Sequence, residues 1–126
     1  MREFVRAFNE RDLDAFVAVL DPEVELHAMK GLRKGLEAAR AWATRAPGGV
    51  QQEIELEQLY EDDTEGGEGG RAVALIVRRW RWEDSGELAS SEAMAWAFEL
   101  RHGRVLSWRP YEDRDEALRE WGFARG

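Results

Sequence analysis

The sequence contains no cysteine and only two lysines, Lys30 and Lys34. The absence of cysteine excludes disulfide bonds and thiolate chemistry, and it leaves the redox compartment open. No apolar run approaches the roughly 20 residues that a membrane-spanning helix requires. The first residues, Met1 to Phe4, lack the apolar run of a secretory signal. We therefore expect a cytoplasmic protein with no membrane partner.

The length and charge of the chain narrow its class further. Its 126 residues provide for one hydrophobic core, so we expect a single domain over 1–126. The net charge of -8 would repel a nucleic-acid polyanion, and we expect no nucleic-acid partner. Six tryptophans are more informative, because each combines a large apolar surface with one hydrogen-bond donor.

Apolar residues at helical spacing predict three helices in the first half of the chain. Asp12 is a suitable N-cap for the second helix, which should end at Asp21-Pro22 because proline excludes the preceding residue from helical conformation. A short strand is predicted over 24–29, followed by a turn flanked by Gly31 and Gly35. The helical positions are Phe4, Val5 and Phe8; Leu13, Phe16, Val17 and Leu20; and Leu36, Ala39, Trp42, Ala43 and Ala46.

The second half of the chain is predicted to be mostly β-strand. One strand precedes an acidic, glycine-rich loop at 62–70, and two long strands follow at 71–83 and 89–100. A tight turn leads into a strand over 105–111, and Asp113 can cap a short final helix. Helices followed by antiparallel strands indicate the α+β class.

Alternation along the strands sorts their side chains into two faces. One face should be concave, carry the bulky residues and lie toward the helices. The other carries small apolar residues that suit packing against a second sheet, so we expect a homodimer through it. The bulky set is Trp80, Trp82, Met94, Trp96, Phe98 and Trp108, and the small set is Leu75, Val77, Ala93, Ala95 and Ala97. The strand before the loop should place Gln52, Ile54, Leu56, Gln58 and Tyr60 on one face, and the last strand should place Val105 opposite Trp108.

Several segments resemble the SnoaL-like family of nuclear-transport-factor-2-like proteins. The stretch from Phe4 to Phe16 is similar to the opening helix pair of these proteins, and Leu20 to His27 to the entry into their first strand. Residues 103–113, with the helix after them, are very similar to their last strand and closing helix. The resemblance covers nearly the whole chain and implies a cone: a curved antiparallel sheet wrapped around N-terminal helices. It implies no single activity, since the family includes isomerases, cyclases, hydrolases and non-catalytic binders.

The resemblance also allows the catalytic positions of the family to be compared. Those of ketosteroid isomerases fall at Phe4, Ala28 and Trp96, which lack the required acidic and hydroxyl groups. Those of limonene epoxide hydrolases fall at Ile76, Arg78 and Pro110. Polyketide cyclases place an acid on the last strand, where Pro110 stands. The resemblance therefore implies that these catalytic sets are missing.

Glu92 is the only carboxylate predicted on the bulky face, and Arg78 lies on the same face of the neighbouring strand. A desolvated Glu92 could hold and transfer a proton as a general acid or base, with Arg78 as its partner. Alternatively, the two residues form a structural ion pair at an open end of the cone. Both alternatives stay open, and Glu92 and Arg78 are the candidate catalytic residues.

The aromatic residues of the concave face suggest a binding site for a small apolar molecule. They could equally fill the cone completely. Three functions are therefore open: a binding domain with a tryptophan-lined pocket, a cofactor-free lyase, isomerase or cyclase that uses Glu92, and a non-catalytic dimerisation domain. The candidate ligand-binding residues are Tyr60, Trp80, Trp82, Met94, Trp96 and Trp108.

Other residue patterns predict no further chemistry. His27 should point away from the concave face, and His102 lies in a turn, so no metal-ligand spacing is present and no cofactor is expected. The alternating arginines and tryptophans at 78–82 belong to opposite faces of a strand, which argues against nucleic-acid binding. The glycines at 66–70 lack the lysine and the following helix of a phosphate-binding loop.

Overall fold

The computed structural model describes residues 2–28, 31–44, 49–63 and 69–123, except for the side chains of Ala28 and Asp63. Within these residues, helices and one curved, unclosed sheet form an α+β fold, which confirms the predicted class. The helices are α1 (Arg2–Glu10), α2 (Leu13–Ala18), α3 (Leu36–Ala43) and α4 (Arg114–Glu120). The strands are β1 (Leu20–Ala28), β2 (Gly31–Lys34), β3 (Val50–Asp63), β4 (Gly69–Trp82), β5 (Leu88–Arg101) and β6 (Arg104–Tyr111).

The strand order of the sheet is β2-β1-β6-β5-β4-β3. Neighbouring strands are antiparallel except β1 and β6, which run parallel. The turn between β5 and β6 has positive φ angles at His102 (52°) and Gly103 (76°), as a two-residue hairpin with the twist of the strands requires. The predicted hairpin is confirmed, and it places the long β5 strand beside β6.

The second helix is shorter than its apolar pattern predicts. Asp12 caps α2 by accepting a hydrogen bond from the Ala15 amide, but the helix ends at Ala18. From Val19 onward the chain joins the sheet, because the Val19 carbonyl accepts a hydrogen bond from the Val105 amide (2.8 Å). Leu20, predicted on the helix, therefore belongs to β1.

The segment between Gly31 and Gly35, predicted as a turn, is instead a short strand, β2, that runs antiparallel to β1. It pairs with β1 through residues 31–34, and all four of its residues are exposed. Gly35 then takes a φ of 97° and precedes α3. The predictions for Met29 and Ala46 lie outside the described residues.

Two register shifts change which face some side chains occupy. A bulge in β3 between Leu56 and Gln58 reverses the alternation, so Leu59 packs into the core under the helices and Tyr60 moves to the other side. A second shift pairs Leu100 with Val105, and Val105 joins the same core. The predicted faces of Tyr60 and Val105 are therefore wrong, because one extra residue inverts a period-2 pattern.

The sheet has apolar clusters on both faces. The inner face, toward α1, α2 and α3, carries the larger core, and the outer face carries a smaller cluster under α4. Leu75, Ala95 and Ala97, which we expected at a dimer interface, pack in this outer cluster with Ala117 of α4. Part of the predicted dimer surface is thus covered by the chain's own final helix.

Candidate functional site

The inner face of the sheet is closed at one end and open at the other. Toward the closed end, Ile76 pairs with Met94 and Ala74 with Trp96, and all four are buried under the helices. Toward the open end, Arg78 pairs with Glu92 and Trp80 with Gln52. We call this open end the mouth and define it by Gln52, Arg78, Trp80, Trp82 and Glu92.

The closed end of the inner face is filled by aromatic rings. The ring centroids of Trp42 and Trp108 lie 4.7 Å apart, those of Trp96 and Trp108 5.4 Å, and those of Trp42 and Trp96 5.5 Å. Phe8 contacts two of these rings from α1. Trp96 is fully buried and Trp108 is 3% exposed. We call Phe8, Trp42, Trp96 and Trp108 the aromatic cluster, and its packing favours a filled cone at this depth.

Like Phe8, Trp42 is a residue of this cluster that the sequence did not identify as part of the site. Its spacing with Ala39 and Ala43 predicted a buried helical position correctly, but it gave no indication of which strand residues the ring would meet. Trp42 enters from α3 and joins the tryptophans of β5 and β6. The sequence therefore predicted only that Trp42 is buried. A contact between elements far apart in the chain leaves no pattern in the sequence around either residue.

Four buried side-chain polar atoms on the inner side have no hydrogen-bond partner within the described residues. They are the indole Nε1 atoms of Trp96 and Trp108 and both amide atoms of Gln52. Leaving a buried donor or acceptor unpaired costs about 1–3 kcal/mol per group. Gln52 belongs to the mouth and is 2% exposed, so its amide lies just beneath the open part of the face.

At the mouth, Arg78 and Glu92 form the predicted pair. Arg78 donates from Nε to Glu92 Oε1 (2.8 Å), and its Nη2 donates to the same oxygen. The guanidinium carbon also lies 5.2 Å from the centre of the Trp80 ring, within the range of a cation–π contact. The side chain of Glu92 is 45% exposed and that of Arg78 is 19% exposed. This arrangement matches the ion-pair alternative at an open end.

The two indoles of the mouth differ from those of the aromatic cluster. Trp82 is 44% exposed, and Trp80 is half-buried. Across the described part of the chain, neither ring contacts another aromatic ring, in contrast to Trp42, Trp96 and Trp108. They therefore present aromatic surface that the fold itself leaves open.

The candidate site residues thus separate into three places. The structure brings Arg78, Trp80, Trp82 and Glu92 together at the mouth. Met94, Trp96 and Trp108 are core residues beneath it. Tyr60 lies on the outer face, where its ring is 5.9 Å from that of Phe123. The prediction that Tyr60 shares a surface with the tryptophans is wrong, because the β3 bulge turns it outward.

The positions compared above with the catalytic residues of the resembled family are mostly apolar and buried. Phe4 is 2% exposed in the helical core, and Ile76 and Trp96 are fully buried. Pro110 pairs with Trp96 across β5 and β6. Of the inner-face positions compared, only Arg78 is charged, and its guanidinium is engaged by Glu92.

Histidine and carboxylate side chains do not form a metal site in the described ranges. His27 lies on the outer face, as predicted, with its Nδ1 3.4 Å from Arg109 Nη2. Across these ranges, no group of three or more histidine, aspartate, glutamate or cysteine residues is arranged to hold a metal ion. Likewise, none of the helices described is long and apolar enough to cross a membrane.

An open groove of about 590 Å³ lies on the outer side, where α4 begins. It is lined by Ala93, Glu112, Asp113, Arg114 and Asp115. Two of its polar side chains have partners: Asp113 caps α4, and Arg114 donates to the carbonyls of Ile76 (2.8 Å) and Met94 (3.3 Å). These contacts hold α4 in place and indicate a structural role for the groove.

In a comparison with known protein families, residues 1–108 match the family described as the SnoaL-like domain. No curated protein matches the sequence significantly. Many solved structures share the fold. An LEH-like epoxide hydrolase from Mycobacterium tuberculosis is 17% identical, with a TM-score of 0.67 over 95% of this chain and 80% of the other.

Two further solved structures show how varied proteins of this fold are. A putative polyketide cyclase from Xanthomonas campestris is 20% identical, with a TM-score of 0.63 over 95% of this chain and 89% of the other. A computationally designed 17-OHP binder is 14% identical, with a TM-score of 0.68 over 90% of each chain. At such identities the likeness establishes the fold and leaves the activity undefined.

Proposed function

The chain belongs to the SnoaL-like domain family, and from this premise we propose that it binds a small, apolar, ring-containing molecule at the mouth. The observation that carries the proposal is the pair of partly exposed indoles, Trp80 and Trp82, on a concave face. A solved neighbour described as a binder of 17-OHP supports the idea that this fold accepts a small ligand.

The energetics of the mouth favour an aromatic or alicyclic ligand. A ring packed on Trp80 would remove apolar surface of both partners from water, which is worth about 25 cal/mol for each Å². An aromatic pair adds roughly 0.5–1.5 kcal/mol beyond that area. Because the rings of the aromatic cluster pack against one another beneath the mouth, we place the ligand on the open half of the inner face.

The ion pair of the mouth supports binding better than catalysis. Oε1 of Glu92 already accepts two hydrogen bonds from Arg78, and Arg78 in turn lies over Trp80. This chain of contacts fixes the guanidinium beside the indole, where it can serve as a polar anchor for the ligand. The alternative of a cofactor-free lyase, isomerase or cyclase would require Glu92 to leave this pair during proton transfer.

Calorimetric titration with two-ring compounds such as 2-naphthol tests the binding proposal. We expect Trp80→Ala to weaken binding about tenfold, because the main ring contact and its stacking energy are lost. Trp121→Phe is the matched control, since Trp121 lies by α4 on the outer side, and it should leave the affinity unchanged. Equal affinities for wild type and Trp80→Ala would exclude the mouth as the binding site.

Glu92→Gln separates binding from catalysis. The substitution keeps the shape of the side chain but removes the charge that pairs with Arg78. We expect neither wild type nor variant to convert a bound ring compound, as followed by chromatography of the recovered ligand. Conversion by wild type that Glu92→Gln abolishes would support the enzymatic alternative.

We also propose that the chain forms a homodimer through the uncovered part of the outer face. Val77 and Ala93 lie there as paired small residues that α4 leaves free. Ion pairs border them, with 3.2 Å between Arg79 and Glu55 and 3.4 Å between Arg81 and Glu53. Small apolar residues with a charged border suit contact with a second copy.

A further inference from the structure

The side-chain amide of Gln52 is buried but makes no hydrogen bond in the described part of the fold. Its residue is 2% exposed, and neither Nε2 nor Oε1 has a hydrogen-bond partner in the described ranges of the chain. Folded proteins pair the large majority of buried side-chain polar atoms. An apolar side chain of similar size would avoid this unfavourable arrangement, so the amide requires an explanation.

The hydrogen bonds of polar groups on the surrounding elements go to other partners. The Asn9 amide is held on the backbone of Ile54, donating to its carbonyl (2.7 Å) and accepting from its N–H (2.9 Å). Arg11 donates to the carbonyls of Phe8 and Gln52. Arg78 is engaged with Glu92. None of these hydrogen bonds reaches the side-chain amide of Gln52, so its donor and acceptor remain for a ligand to use.

The register places Gln52 next to the proposed ligand site. Its direct cross-strand partner is Trp80, and residues paired in this way have Cβ atoms about 4.5–5.5 Å apart. Trp80 is half-buried, and its ring contacts the guanidinium of Arg78. Because Gln52 is buried beside Trp80, a ligand could reach its amide only if this indole moved aside.

We propose that Gln52 is the specificity-determining residue of the mouth and that it selects a ring carrying a neutral donor and acceptor side by side, as in a lactam. This inference rests on the binding function proposed above. The side-chain amide offers N–H and C=O in one plane, and a lactam offers the complementary pair. A ketone, ether or carboxylate only accepts hydrogen bonds, so it would leave Oε1 of Gln52 unpaired.

Two probes of nearly the same shape test the selection. The lactam 2-quinolinone has the adjacent N–H and C=O, whereas N-methyl-2-quinolinone has the same ring system with its donor blocked. We expect wild type to bind 2-quinolinone at least about tenfold more tightly in calorimetric titration, because one partner of the buried amide is lost in the methylated probe. Equal affinities would overturn the inference.

Gln52→Met removes both polar atoms at similar volume, and Gln51→Met is the matched control. Gln51 is exposed on the adjacent position of β3, where it donates to Glu83 (2.9 Å). We expect Gln52→Met to bind both probes with equal affinity and Gln51→Met to keep the wild-type preference. A preference that survives in Gln52→Met, or an equal loss of affinity for both probes, would contradict a selective role.

A measurement on the wild-type protein keeps the test independent of the stability of the variant. In ¹H–¹⁵N spectra, the side-chain NH₂ signals of Gln52 should shift on addition of 2-quinolinone and stay in place with the methylated probe. If both probes bind equally and these signals do not move, Gln52 has no selective role and the binding function stands. If neither probe nor 2-naphthol binds, the binding function fails as well.

Discussion

At the scale of single residues, the interior polar groups fall into two classes. The first class has a specific partner, as Asp21 has in Arg101, whose Nε and Nη2 donate to its two carboxylate oxygens at 2.9 and 2.7 Å. Gln52, Trp96 and Trp108 keep buried polar atoms unpaired in the described structure. The paired groups connect strands of the sheet. The unpaired groups show where the inner face still has donors and acceptors that could bind a ligand.

Asp21→Asn should reduce stability in a pH-dependent way. The hydrogen bonds from Arg101 hold the pKa of Asp21 below its ordinary value of 3.8. A lowered folded-state pKa contributes stability above pH 3.8, and this contribution is lost as the pH falls through the folded-state value. Urea unfolding should show a less stable variant at pH 7 and a difference from wild type that shrinks below pH 3.8.

Glu23→Gln is the control for this pH series. Glu23 also lies near Arg101, at 3.3 Å, but its side chain is 77% exposed and its contact with Arg101 is screened by water. The Glu23→Gln substitution should therefore change the unfolding free energy little at any pH. A difference between Asp21→Asn and wild type that is the same at pH 7 and pH 3 would rule out the charged pair as its cause.

At the scale of elements, the sequence predicted correctly those strand faces that follow from an uninterrupted alternation of residues. The faces of β4 and β5 are as expected around Ile76, Met94 and Trp96, since period-2 alternation is uninterrupted there. The predicted face of Tyr60 is wrong because no residue type in β3 indicates the bulge between Leu56 and Gln58. The filling of the cone by Trp42 was also beyond prediction, because it depends on how α3 approaches the sheet.

The attachment of α4 to the outer face depends strongly on Arg114. This residue donates to the carbonyls of Ile76 and Met94 and also pairs with Glu57. We expect Arg114→Met to lower the unfolding free energy by about 1–3 kcal/mol, because these acceptors lose a charged donor. Arg119→Met, at an exposed position of the same helix, should change it by less than about 0.5 kcal/mol. Urea unfolding measures both, and similar values for the two would show that Arg114 does not secure α4.

At the scale of the whole molecule, the two faces of the sheet have different roles. The inner face is packed at depth by the aromatic cluster and open at the mouth, where its indoles and ion pair remain accessible. The outer face is covered by α4 over Leu75, Ala95 and Ala97 and uncovered at Val77 and Ala93. Binding and self-association would thus use opposite sides of the same β4–β5 hairpin.

The dimer proposal predicts a particle of twice the 14.5 kDa chain mass. Ala93→Arg should return the protein to the monomer mass in sedimentation velocity, because a long charged side chain would separate the two flat surfaces. Ala41→Arg, on the exposed side of α3, introduces the same charge elsewhere and should leave the dimer intact. A wild-type monomer at high micromolar concentration would contradict the proposal.

The most direct test of binding at the mouth follows the indole N–H signals of the six tryptophans while 2-naphthol is added. We expect the signals of Trp80 and Trp82 to shift along one common binding curve and the signal of Trp121, on the outer side, to stay in place. Stationary Trp80 and Trp82 signals at a ligand concentration that produces a calorimetric response would contradict this expectation.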